Sequence, residues 1–458
     1  MTLDDGVRRI DRLTPDDVVA LVTDVGPVPM HVGAIVVLDG SVERSELADR
    51  LAERLPAVPR LRQRLDPTPW FGGRAVWVDD DHFDLSNHVV IAPQRAAGQR
   101  AAGHRAAGHR TVLDIAAESI CRPLDRAHPL WRITLVSLDD GRSALVAAFH
   151  HAVADGIGGL AVLANLIDEA GAPPPDEAFP RPRPSHTDLV RDAARSRLDT
   201  IAHPTRSLRR VADALVQLRP SRGGAPQRTS FNVPTGPERR LLAVEVPLGP
   251  LHAAARRRGA TINDALLTAV GGAVGALLDE RGDAVDELVI SMPMSARTET
   301  GGTSLGNQVG AVPVRVPLHG GLVERLEGVA RRTEQARSTV RGSSNAILGP
   351  VFRVLARTGL FRWFVDHQRL VHTFVTNLRG PQQPMALLGH TVTEVHPVAT
   401  IAGNVTASFA ALSYAGTLGV TIIVDPVAVP DADALRARLQ QQLDDLCSIS
   451  DRTGQPAP

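Results

Sequence analysis

Six prolines fall within GAPPPDEAFPRPRPSHTD, Gly171 to Asp188, and rule out a packed helix or a central strand across that stretch. The chain must therefore build its core on either side of a break. Before it, MHVGAIVVLDG reads as a strand and RSELADRLAERL as an amphipathic helix. WRITLVSLDDGRSALVAAFHH follows as two strands joined by a turn at Asp139 to Gly141, and GIGGLAVLANLIDEA as a helix. Beyond the break come a basic helical stretch, Leu189 to Leu218, and a turn-rich segment to Gly236. RRLLAVEVPL, DELVISMPMSAR, VGAVPVRVPL and GTLGVTIIVDP then read as strands. PLHAAARRRG, TINDALLTAVGGAVGALLDERG and Asp431 to Leu446 read as helices. The expectation is an α/β protein with an N-terminal lobe over residues 1–170, a proline-rich linker and crossing helix over 171–236, and a C-terminal lobe over 237–458. A site is expected between the two lobes.

The 458 residues carry no formal net charge, which argues against nucleic acid as a partner. All 50 basic residues are arginine, so chemistry that needs a lysine amine is excluded. Cys121 and Cys447 lie far apart, fit no metal or redox spacing, and suit a reducing cytoplasm. MTLDDGVRRI lacks the apolar core of a signal peptide. The longest uncharged helical run, Ala265 to Leu278, falls short of the roughly 20 residues a spanning helix needs. The expected location is cytoplasmic, with peripheral contact at the inner face of the plasma membrane. A five-residue repeat used three times, Arg95 to Arg110, reads as a solvated loop expansion or a charged docking arm.

FHHAVADGIGG, Phe149 to Gly159, ends the apolar strand SALVAAF. A strand apolar on both faces is central, and its end is where α/β sites collect. His150 and His151 point to opposite faces, so only one faces a given cleft. Three readings stand. A metal would need both histidines and Asp155, which opposite faces resist. A structural role would leave buried histidines and an aspartate capping a helix. A general base would use neutral imidazole to deprotonate a hydroxyl near neutral pH, and this reading fits the residues best.

His150-His151-Ala-Val-Ala-Asp155-Gly156 matches the HHxxxDG motif of the CoA-dependent acyltransferase superfamily. LTPDD from Leu13, PMHVG from Pro29, FDLSNHV from Phe83, PLDRAHPLW from Pro123 and FNVPTGPERR from Phe231 narrow the match. So do TINDALL from Thr261, MPMSAR ending at Arg297, LGNQ from Leu305, TNLRGP from Thr376 and LSYAG from Leu412. With these pieces, in order from about Leu13 to Leu446, the chain resembles the bacterial wax ester synthase/diacylglycerol acyltransferase family.

That resemblance implies two chloramphenicol-acetyltransferase-like lobes, mixed sheets flanked by helices, with an active-site tunnel between them. It implies acyl transfer from acyl-CoA, as co-substrate and with no cofactor or metal, to diacylglycerol or a long-chain alcohol. A membrane or lipid-droplet surface would be a partner. His151 would be the base, acting without an acyl-enzyme, and His150 a supporting residue. Asp155, followed by Gly156, would pair with Arg297, though a simple helix cap also suits Asp155. Asp155→Asn separates the two, because asparagine still caps but carries no charge.

Asn377 would border the tunnel, as would Asn263 and Asn307, although Asn263 with Asp264 also reads as a capping pair. Tyr414, the single tyrosine, reads as packing. Leu378 and Arg379 depart from the family pattern, and Arg379 reads as a CoA-phosphate contact or as solvated. GTSLG, Gly302 to Gly306, fits a hydrolase elbow at Ser304 but lacks the strand before it and the helix after it. Ala346 to Phe374 interleaves aromatics with arginine and reads as an interfacial helix or as one packed on the core. The rival functions are a condensation-type or polyketide-associated acyltransferase with a carrier-protein donor, and a non-catalytic scaffold.

Overall fold

The computed structural model describes residues 10–93, 104–153, 159, 162–169, 171, 179–202, 226–295, 309–339, 355 and 358–449. The N-terminal part contributes α1 (Pro15–Thr23), β1 (His31–Leu38), α2 (Arg44–Arg54), β2 (Gln63–Asp66), β3 (Val76–Asp79), β4 (Val89–Ile91), α3 (His104–Cys121), β5 (Trp131–Ser137) and β6 (Ser143–His150). After the prolines come α4 (His186–Ala202), β7 (Arg240–Pro247), α5 (Leu248–Arg257), α6 (Ile262–Glu280), β8 (Glu287–Ser295), β9 (Val309–Pro317) and α7 (Leu322–Thr339). The chain continues through α8 (Leu360–His367), β10 (Thr373–Arg379), β11 (Ala386–Leu387), β12 (His390–Val398), β13 (Ala407–Tyr414), β14 (Thr417–Val424) and α9 (Ala432–Ser448).

These strands form two mixed six-stranded sheets, β11-β12-β1-β6-β5-β4 and β7-β14-β13-β10-β8-β9, beside the small β2-β3 hairpin. The expected α/β class and paired mixed sheets are present. β6 is buried along its whole length, as a run apolar on both faces requires. Its neighbour β1 comes so close at Gly33 that a Cβ there would lie 1.9 Å from the Ala147 carbonyl oxygen. That explains the glycine in PMHVG.

A cut at residue 236 does not separate the sheets. β11 and β12 leave the C-terminal half and extend the N-terminal sheet, with Ile35 facing His396 and Gly33 facing Val398. Each strand pattern was legible alone, but strand partners are chosen by tertiary packing. An apolar seam of Ile35, Val112, Val146, Leu241 and Ile423 joins the two sheets through α3.

Three local readings also change. His104 to Arg110, the last part of the repeat, forms the first turns of α3 and not a loop, while residues 94–103 lie outside the described region. The helix after the histidine motif does not run on to Ala170, because Asn165 to Glu169 is turn and bend, with Leu166 N–H bonded to Leu163 O. α4 begins at His186, inside the stretch read as linker, once the last proline is passed. Within Ala346 to Phe374, α8 turns Phe361 into the core at 1 % exposure and leaves Trp363 outside at 63 %.

α6 is the one described helix long and apolar enough to cross a membrane by length and composition. It is the central helix of the second lobe, buried along Ala265 to Leu278 against β-strands and α9.

Candidate active site

β1 and β6 run antiparallel with His31 opposite His150. The strand register therefore fixes two imidazoles side by side before any side-chain bond forms. Their rings meet edge to face, with centroids 6.1 Å apart. Both are buried at 2 % exposure. Beyond His150 the chain turns: Val153 N–H donates to His150 O, and His151 N–H donates to Met30 O at 2.9 Å. His151 is thereby swung off the strand end and is only half-buried.

The two histidines of the motif differ in their surroundings. His150 Nδ1 accepts from the Ala152 N–H at 3.0 Å, so its proton sits on Nε2. That nitrogen faces Asp24 Oδ2 at 3.3 Å. Asp24 caps the C-terminus of α1 and also accepts from Met30 N–H at 3.0 Å and Arg126 Nη2 at 2.9 Å. Burial pushes the Asp24 carboxyl up, but the bonds from His150, Met30 and Arg126 outweigh it and hold its pKa at about 2. His31 donates from Nδ1 to the Ile120 carbonyl at 2.9 Å. Burial, then the neighbouring His150, drives its pKa down to about 4 against the opposing pull of that carbonyl and Asp24. One neutral imidazole, one oriented imidazole and a fixed carboxylate thus back the half-exposed His151.

Asp24 and Arg126 were not singled out from sequence. The signal existed: Asp24 is the only formally charged residue between Asp17 and Asp39. An acid in so apolar a segment needs a partner.

Several family-matching pieces turn out to hold the fold. LTPDD and TINDALL are capping boxes, Thr14 with Asp17 and Thr261 with Asp264. Phe83, His88 and Trp131 form a continuous stack, with centroids 5.3 and 4.4 Å apart. LSYAG makes a two-residue hairpin turn at Ala415 and Gly416, both at positive φ. Tyr414 is buried and donates to Val392 O while accepting from Met385 N–H.

Asn263 begins α6 and donates to the Met292 sulfur on β8, and Asn377 is half-buried near the end of β10. β8 and β10 are parallel neighbours, so the strand that Asn263 contacts and the strand that carries Asn377 lie side by side in the second lobe. Arg379 is exposed at the end of β10. Asp155, Gly156, Arg297, Ser304 and Asn307 lie outside the described residues.

Away from the histidine pair, Glu245, Glu394 and His396 bring three ligand-type atoms within 4.8 Å across the seam between the sheets. Arg142 Nη1 stands 3.7 Å from Glu394 and already supplies a positive charge there. The same Arg142 and His396 border a small cavity lined by Ile35, Val37, Val112 and Leu113.

The wax ester synthase/diacylglycerol acyltransferase catalytic domain model matches residues 13–266, and the C-terminal domain model of the same family matches residues 305–447. "Probable diacyglycerol O-acyltransferase tgs1" of Mycobacterium tuberculosis is 29% identical over 447 residues, covering 93% of this chain and 93% of that protein. The solved wax ester synthase/diacylglycerol acyltransferase of Marinobacter aquaeolei VT8 superposes with a TM-score of 0.67 at 21% identity, over 95% of this chain and 98% of that one. The starter condensation domain of rhizomide synthetase, solved with C8-CoA and Leu-SNAC, gives a TM-score of 0.61 at 15% identity, over 98% and 96% of the two chains. At those identities the two structures establish the fold, and the sequence models establish the kinship. This chain is an acyltransferase and belongs to the wax ester synthase/diacylglycerol acyltransferase family.

Proposed function

We propose that the chain moves a long-chain acyl group from acyl-CoA to a lipid hydroxyl, chiefly diacylglycerol to give triacylglycerol, with long-chain alcohols as second acceptors. The observation that carries the mechanism is the division of labour in the histidine pair. His150 is buried and tied to Asp24, and His151 is half-exposed at the turn.

His151 takes the proton of the acceptor hydroxyl as that oxygen attacks the thioester carbonyl. The tetrahedral intermediate collapses to the ester, and the carbon–sulfur bond breaks. The departing CoA thiolate receives the proton from the His151 imidazolium. Atoms and charge balance with no acyl-enzyme. Neutral His31 and the fixed tautomer of His150 keep a second positive charge away from His151, which favours the base form at neutral pH. The family models favour this donor and acceptor over a carrier-protein donor.

The test offers palmitoyl-CoA with diacylglycerol or hexadecanol to wild type and to His151→Ala. Ester formed by wild type and lost in a folded variant is the expected result. No ester with either acceptor would move the chain to another acyl donor or to a scaffold role.

A further inference from the structure

The chain is poor in aromatics, with 4 tryptophans, 10 phenylalanines and 1 tyrosine. Trp77 and Trp131 are buried at 3 % and 1 % exposure, as a small stock of large apolar side chains would lead one to expect. Trp70 and Phe71 are the opposite case. They are adjacent, at the tip of the β2–β3 hairpin, and exposed at 90 % and 72 %.

The tip is braced. Gly72 N–H donates to Pro69 O at 2.8 Å, and Thr68 Oγ1 donates to Gly73 O at 2.7 Å. Arg12 Nη1 donates to Arg74 O at 2.7 Å and is itself held by Asp192 and by Leu189 O on α4. Phe71 has φ +68°, a left-handed conformation that an L side chain adopts only at a cost. A restrained loop thus holds two large rings in water, one of them on strained backbone.

We infer that the Trp70–Phe71 tip inserts into a lipid surface and docks the enzyme where its lipid acceptor resides, an inference that rests on the proposed lipid substrate. Pro67 to Gly73 carries no charge, and the nearest charged residues, Asp66 and Arg74, stand at the loop's base. Insertion therefore desolvates no ion. The Gly72 N–H and Gly73 carbonyl are bonded within the loop, as backbone entering lipid must be. Tryptophan favours the bilayer interface, where an apolar segment sinks about 5–10 Å. A protein partner fits less well. Two aromatic side chains offer about 300–500 Å² against the roughly 800 Å² per partner of a stable interface.

The experiment is flotation of the full chain with phosphatidylcholine vesicles, with and without diacylglycerol, for wild type and the Trp70→Ser/Phe71→Ser double variant. The expected result is an unchanged melting temperature and a fall in vesicle partitioning of about tenfold or more. Flotation equal to wild type, or a wild type that does not float, would overturn the inference. So would sedimentation showing that the pair instead holds two copies of the chain together. If the double variant fails to fold, Trp363→Phe leaves Trp70 as the one exposed tryptophan. Quenching of its emission by brominated phosphatidylcholine supports insertion, and unquenched emission refutes it. Acyl transfer from palmitoyl-CoA to detergent-dispersed diacylglycerol or hexadecanol, measured alongside, keeps the two readings apart. Its absence in a wild type that floats would refute the acyl-transfer reading and leave the docking intact.

Discussion

The two six-stranded sheets use their buried polar groups for different ends. In the second lobe, Asp264 sits at 2 % exposure and accepts from Thr261 N–H, Thr261 Oγ1 and Thr333 Oγ1 at 2.8, 2.7 and 2.6 Å. Every one of those bonds joins a helix start to itself or to the next helix. In the first lobe, Asp24 binds a backbone N–H, an arginine and the first histidine of the motif, at the edge of a turn that leaves His151 half-exposed. The same residue type is thus a brace in one lobe and, under the proposed mechanism, a support for chemistry in the other. Its neighbours decide which, because a carboxylate surrounded by cap donors can only hold, while one beside imidazole also sets a tautomer.

The contrast is broken most strongly at His151. His151→Ala should lower the acyl-transfer rate by about 10²–10⁴-fold with little change in melting temperature, since a half-buried side chain carries little of the core. Unaltered turnover in a folded variant would remove the base from the mechanism. Next in size, Asp264→Ala strands three donors in a buried site and should cost about 3 kcal/mol of stability. Activity per folded molecule should stay at the wild-type level. A drop in turnover without a drop in melting temperature would show that the second lobe's carboxylate is not a brace alone.

Asp24→Ala should do both, more mildly. Its carboxyl is held near 2, below its usual value, so its stabilisation is present above about pH 4 and is lost as pH falls through about 2. Discounted for solvent screening, the loss at neutral pH is about 2 kcal/mol. Freed from Asp24, His150 loses its fixed orientation, and the rate should fall about tenfold. Wild-type turnover in Asp24→Ala, assayed below its melting temperature, would separate the Asp24–His150 pair from catalysis.

Much of this was legible in the sequence, and the limits have physical causes. The capping boxes at Thr14 and Thr261 are local, so spacing alone reveals them. The strand that delivers His150 and His151 is legible because six apolar residues, Ala144 to Phe149, precede the pair. The transfer of β12 into the first sheet is not, since nothing in HTVTEVHPV names β1 as its partner across some 350 residues. Asp24 was missed for the same reason: its link to His150 spans 126 positions and depends on the β1–β6 register. The aromatic tip at Trp70 was missed because periodicity separates strands from turns but does not tell which turns carry exposed rings.

The smallest expected effect at neutral pH concerns His31. It is held neutral, with a pKa of about 4 in the fold against about 6.5 when unfolded. Between those values the unfolded chain binds more protons, so stability falls as pH drops from 6.5 to 4 and changes no further below that on this account. His31→Asn retains a donor for the Ile120 carbonyl but does not titrate. It should flatten the acid limb of a stability-versus-pH curve by at most one proton, about 1.4 kcal/mol per pH unit. Burial also lowers His88 and His372, so a residual slope should persist. A slope identical to wild type between pH 4 and 6.5 would mean that His31 is not held neutral. The first lobe would then bear a charged imidazole behind His151, and the electrostatic argument for a neutral His151 would fail.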